Sequence, residues 1–156
     1  MGKKEIDQLL TMAANTFLLG EGPTVAIISA FLPSLSKEEN LKRHALLKEK
    51  ISKYDGLYLF DLLGSWDYSG EKDFLEKSVV ASGLSSIQIL KLVREFDQKA
   101  FILKDWDGRV SLMFENFKDH KKQKVNLQPK ELLNLKVVKD PFESQSRVVS
   151  FRYPGL

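Results

Sequence analysis

With 156 residues, no cysteine, 43% hydrophobic and 29% charged residues, the chain has the size of one domain and enough apolar surface for one core. That composition excludes a disordered chain, disulfides, thiolate metal sites and cysteine nucleophiles, and 24 Lys plus Arg against 21 Asp plus Glu leave a net charge of only +3, too small by itself to call for a nucleic acid. The longest apolar runs fall far short of the ~20 residues of a membrane span. The lysine-led start carries no signal-peptide apolar region, so a cytoplasmic protein without a membrane partner is expected.

In chain order, "KKEIDQLLTMAANTFLLGEG" sets Ile6, Leu9, Leu10, Ala13, Phe17 and Leu18 at helical spacing, with Gly20 and Gly22 as the stop. "PTVAIISAF" is a short β-branched run between Pro23 and Pro33 and predicts a buried strand. Ser36 with Glu39 three residues on is a capping-box pattern that opens a helix running to about Tyr54, with Leu41, Ala45, Leu47 or Lys48, and Ile51 on its inward stripe. "DGLYLFDLLGSWD" and "KDFLEKSVVAS" predict two strands joined by a polar turn, and Ser85 with Gln88 caps a helix whose stripe is Ile89, Leu92, Val93 and Phe96. "KAFILKDWDGRVSLMFEN" is a hairpin about Asp107-Gly108. A lysine-rich connection follows, then a short helix in "QPKELLNLK" and a last strand in "SRVVSFRY". The order predicts one α+β domain over 1–156, with a largely antiparallel sheet of five to six strands covered by three to four helices.

"SAFLPSLSKEENLKRHALL", then "GSWD", "EKS" and "LVREFDQKAFI", resembles a small domain family of unknown function found in bacteria and phages. The likeness lies in a Ser-Ala-x-x-Pro strand end, a Leu-Ser-x-x-Glu-Asn-x-x-Arg helix start, a Gly-x-Trp hairpin, a Glu-x-Ser strand and a Phe-x-Gln-x-Ala junction. It covers about residues 24 to 115, leaving 116–156 as an added segment. The matching positions are Ser29, Pro33, Asn40, Arg43, Gly64, Trp66, Glu76, Ser78 and Gln98. The resemblance implies no activity and suggests a phage origin.

Several groups of residues are candidates for chemistry. Asn40, Arg43 and His44 sit at a helix start, where free N–H groups and the macrodipole favour a phosphate or carboxylate; equally, Asn40 and Arg43 tie the helix to neighbouring strands while His44 is a surface or rim residue. Glu76 and Ser78 alternate on one strand and share a face. His44 and His120 lack the surroundings of a serine-hydrolase base, no ligand spacing suggests a metal, and no cofactor signature is present. Trp66 and Trp106 lie beside turns, where an indole stacks on a base or anchors a protein partner. Lys118, Lys121, Lys122, Lys124 and Lys130 form a basic stretch. Three functions are carried forward. The first is a non-enzymatic accessory protein docking on a larger host or virion protein. The second is a nucleic-acid-binding module using the basic stretch and the tryptophans, and the third an enzyme on a small anionic or nucleotide-like ligand near Arg43, Glu76 and Ser78.

Overall fold

The computed structural model describes residues 2–66, 74–116, 121–126 and 135–152, and all counts are of these residues. The elements are α1 (Lys3–Leu18), β1 (Val25–Ser29), α2 (Lys37–Lys53), β2 (Leu57–Trp66), β3 (Phe74–Ser82), α3 (Ser86–Glu95), β4 (Ala100–Lys104), β5 (Val110–Asn116), β6 (Lys121–Asn126), β7 (Lys136–Lys139) and β8 (Arg147–Arg152). The eight strands make one sheet in the order β6-β5-β4-β1-β3-β2-β8-β7. Every pairing is antiparallel except β2 with β8. No described helix is long and apolar enough to cross a membrane.

The middle of the sheet is covered on both faces, which explains why β1 reads as an unbroken apolar run: all five of its residues are buried. Val25, Ile27, Leu62, Val80, Ile102 and Leu112 pack with Ala14 and Leu18 of α1. Ala26, Ile28, Val79 and Ala81 pack on the other face with Leu47 and Ile51 of α2 and Ile89, Leu92 and Val93 of α3. Toward the start of α1, Arg147 of β8 holds Asp7 through two hydrogen bonds of 2.8 and 3.0 Å.

The α+β class stands, but the sheet is larger than the five to six strands expected. The lysine-rich connection contains β6, and the segment after the expected fourth helix contains β7. "KKQKVN" and "KVVK" are the two edge strands, and edge strands do not show the apolar alternation of buried ones because lysine there blocks further pairing. The fourth helix was expected mainly over residues that lie outside those described, and its last residue, Lys136, opens β7. The turn "DYSGEK" between β2 and β3 also lies outside them.

Both helical stripes hold in part, with Leu10, Ala13, Phe17 and Leu18 on α1 and Leu47 and Ile51 on α2 facing the core as expected. On α1 the inward residues are Ala14 and Leu18 with Leu10, Ala13 and Phe17 against them, while Leu9 is exposed. On α2 the buried set is Asn40, His44, Leu47 and Ile51, so two polar residues occupy positions that an apolar stripe assigned to Leu41 and Ala45. The Ser36 cap accepts the Glu39 N–H at 3.1 Å, but the Glu39 carboxylate takes the Ser36 hydroxyl rather than its backbone N–H. At α3 both halves of the Ser85–Gln88 box form.

The β4–β5 turn has the left-handed glycine that Asp-Gly suggests: Gly108 has φ +87°. A Cβ there would also meet the Gly20 backbone at 2.9 Å. Gly108→Val should therefore lose about 2 kcal/mol or more through strain and collision together. An unchanged melting temperature would refute the assignment.

Candidate functional site

The chain between β1 and α2 leaves the sheet at Ala30 and exposes backbone groups that no strand satisfies, and side chains from β1, α2 and the α3–β4 connection satisfy them instead. Ser29 Oγ accepts the Phe31 N–H at 3.0 Å and donates to the Lys77 carbonyl at 2.9 Å. Arg43 donates from Nε to the Ala30 carbonyl (2.7 Å) and from a terminal nitrogen to the Phe96 carbonyl (2.6 Å), with its guanidinium 5.4 Å from the Phe96 ring centre. Asn40 accepts the Leu32 N–H at 2.9 Å and donates to the Leu32 carbonyl at 3.0 Å, copying a strand partner. Gln98 donates to the carbonyls of Phe31 and Phe96, each at 3.0 Å. Thus Ser29, Asn40, Arg43 and Gln98, scattered over 70 positions, converge on Ala30–Leu32. Of the two readings open for Asn40 and Arg43, this geometry is the tie between helix and strands.

His44 belongs to a different group. Its ring is buried rather than at a rim, and Nε2 lies 3.1 Å from Asp61 Oδ1, which also accepts the Tyr58 hydroxyl at 3.0 Å. Asp61 Oδ2 meets Lys48 at 3.3 Å and Lys77 at 3.5 Å, and Lys77 reaches Asp140 at 2.7 Å and Glu143 at 3.1 Å. Lys77 is 1% exposed. Three carboxylates thus surround one buried ammonium, joining α2, β2 and β3 to the β7–β8 connection. Phe142 of that connection stacks edge-on against Phe31 at 5.1 Å. Burial pushes the Asp61 carboxyl up, but the hydrogen bond and charge of His44 and the ammoniums of Lys48 and Lys77 outweigh it and hold it down at about 2. Burial likewise opposes the charge on Lys77, and the hydrogen bond to Asp140 with the Asp61 and Glu143 carboxylates raises it above 10.5 nonetheless. The His44 Nδ1 atom is buried without a hydrogen-bond partner.

Glu76 and Ser78 do share a face, beside Gly64 and Ser29 respectively, and both are buried. That face is the one α1 covers, since Val80 two residues on packs with Leu18, whereas Arg43 lies with α2 on the other. The structure therefore does not bring Arg43 to Glu76 and Ser78. Trp66 ends β2, with its side chain outside the described part. Lys121, Lys122 and Lys124 lie along the edge strand β6, and Lys118, His120 and Lys130 lie outside the described residues. A concavity beside α1 is lined by Lys3, Lys4, Asp7, Gln8, Thr11 and Met12, none of them singled out by the sequence.

Trp106 is different from all of these: it is 70% exposed. Its turn is nevertheless held, because the Gly22 N–H donates to the Trp106 carbonyl at 3.0 Å, Asp105 and Arg109 close the hairpin at 2.9 Å, and Asp107 Oδ1 accepts the Arg109 N–H at 3.0 Å. Beneath it the buried Lys104 ammonium donates to the Gly20 carbonyl at 3.2 Å, and burial lowers its pKa against the opposing pull of Asp107. A mobile loop would let the indole fold back; this one presents it outward.

Sequence reasoning missed Asp61, Lys77, Lys104 and Asp140. The available signal was a charged residue inside an apolar strand, as in "YLFDLL" and "FILK", which burial permits only with a partner. No curated protein matches the chain. Residues 33–101, from the proline that closes the β1 exit to the second residue of β4, match the model of a family described as a protein of unknown function (DUF3293), and over that stretch, which holds Asn40, Arg43, Asp61, Lys77 and Gln98, the chain is similar to that family.

Proposed function

We propose that the protein is a non-enzymatic accessory protein that docks on a larger protein through the end of its sheet marked by Trp106. The observation that carries this reading is an indole 70% exposed on a turn whose backbone is fixed at both ends. Such a side chain loses little conformational freedom on binding and buries a large area, which is the profile of an interface anchor. Two of the polar residues that suggested a ligand site favour the same conclusion, because Asn40 and Arg43 donate to backbone carbonyls. A phage-encoded protein acting in the cytoplasm on a host or virion factor is the setting that the sequence resemblance and the cysteine-free composition suggest.

The test is affinity capture with the parent protein and with Trp106→Ala, each with and without nuclease, read by mass spectrometry. A protein captured by the parent, lost with Trp106→Ala and indifferent to nuclease is the expected result. Because Trp106 packs on little, Trp106→Ala should keep the parent melting temperature. Equal capture by both proteins refutes docking at Trp106, and capture abolished by nuclease assigns the activity to nucleic acid, with the β6 lysines as the next residues to replace.

A further inference from the structure

From the charge and shape of the same end of the sheet, and resting on the docking reading above, we infer that the partner presents a basic segment whose lysine or arginine side chains flank an apolar one. The register places the start of β1, the end of β3, the start of β2 and the β4–β5 turn together, since Val25 pairs with both Ser82 and Lys104 and Leu57 pairs with Ser82. The turn before β2 touches the β3–α3 connection, where a Cβ on Gly56 would meet Leu84 at 2.7 Å. Three large apolar side chains stand out of this end: Trp106 at 70%, Ile87 at 67% and Leu57 at 60% exposed. β4 and β2 are separated by β1 and β3, so the strands that lead to Trp106 and Leu57 lie about 14 Å apart at ordinary strand spacing, a span that one short peptide covers.

The charge around these side chains runs against that of the chain. Glu21, Asp55, Asp105 and Asp107 lie at this end against three cations: Lys104, which is buried and donates to the Gly20 carbonyl, and the exposed Arg109, 3.9 Å from Asp107, and Lys53, 3.6 Å from Glu49. The chain as a whole has more lysine and arginine than aspartate and glutamate. An acidic rim around an apolar centre favours a cationic partner, whose ammonium or guanidinium also gains from the open face of an indole. The same rim repels phosphate, so a nucleic acid is the occupant this end is least suited to.

The experiment uses the full chain and two fluorescent peptides of equal length, one alternating lysine and leucine, the other glutamate and leucine, with binding read by anisotropy. The lysine peptide should bind and weaken several-fold as salt rises, while the glutamate peptide should not bind. Glu21→Lys combined with Asp55→Asn, both at exposed positions, should weaken the lysine peptide by about tenfold or more, and Trp106→Ala by at least as much. Equal binding of the two peptides, or a charge variant that binds like the parent, overturns the basic partner while leaving Trp106-dependent docking standing. Binding untouched by Trp106→Ala overturns both.

Discussion

Lys77→Met should be the most damaging single substitution in the protein, lowering stability by about 3–5 kcal/mol, because it leaves carboxylates in the interior without their cation. Asp140 has a side chain only 2% exposed and lies 2.7 Å from Lys77, and Asp61 lies at 3.5 Å with 14% exposed. The methionine fills much of the volume, so the loss comes from charge rather than a cavity. Two consequences separate that cause from simple misfit. Adding Asp61→Asn and Asp140→Asn should recover part of the lost stability, since the paired change removes the uncompensated charges. The β7–β8 connection, held to the sheet by Asp140 and Glu143, should become more accessible to protease before the rest of the domain unfolds. A denaturation midpoint equal to that of the parent would show that the cluster carries no net stability.

The same cluster sets the behaviour of the parent with pH. Asp61 has its folded pKa held at about 2, below its ordinary 3.8, so its contribution is fully present above pH 4 and fades as pH falls through about 2; the shift corresponds to about 2 kcal/mol. Lys77 has its folded value raised above 10.5, so its contribution is present below that pH and is lost as pH rises through the folded value. The plateau between these limits is where the ion cluster helps the fold.

Local chemistry was readable from the sequence wherever one element decides it. The Asp107-Gly108 turn, the Ser85 cap and the apolar run of β1 depend on residues within a few positions of one another, and each lies where the sequence pattern puts it. Edge strands were not readable, because β6 and β7 carry lysines in place of a buried alternation and owe their strand character to β5 and β8. The first half of the inward face of α2 was misjudged for a related reason, while Leu47 and Ile51 lie where expected. Asn40 and His44 are buried because their partners, Leu32 and Asp61, are supplied from outside the helix, and no helical periodicity reports an acceptor on another element. Lys77 and Asp140 are 63 positions apart, so their pairing, on which the cluster depends, leaves only the trace of a charge in an apolar context.

Arg43 should be the second most sensitive position, and the two substitutions that test it should differ in degree rather than kind. Arg43→Ala leaves the Ala30 carbonyl without its side-chain donor, takes one of the two side-chain donors from the Phe96 carbonyl and removes the cation above the Phe96 ring, a combined cost of about 2–4 kcal/mol. Arg43→Lys keeps the charge, but an ammonium is a single point and cannot hold carbonyls contributed by two separate segments from a planar fork. It should cost about 1–2 kcal/mol. Gln98 also donates to the Phe96 carbonyl, so Gln98→Ala and Arg43→Ala should combine to more than their sum, because only the double variant leaves that oxygen with neither donor. Were Arg43 instead reserved for an anionic ligand, its removal would leave the free protein as stable as before or more so, since an unpaired binding-site charge burdens the unliganded fold. A chemical denaturation midpoint for Arg43→Ala at or above that of the parent would therefore return the start of α2 to the list of binding sites, and a clearly lower one, with Arg43→Lys between, makes it the clasp that closes the chain between β1 and α2.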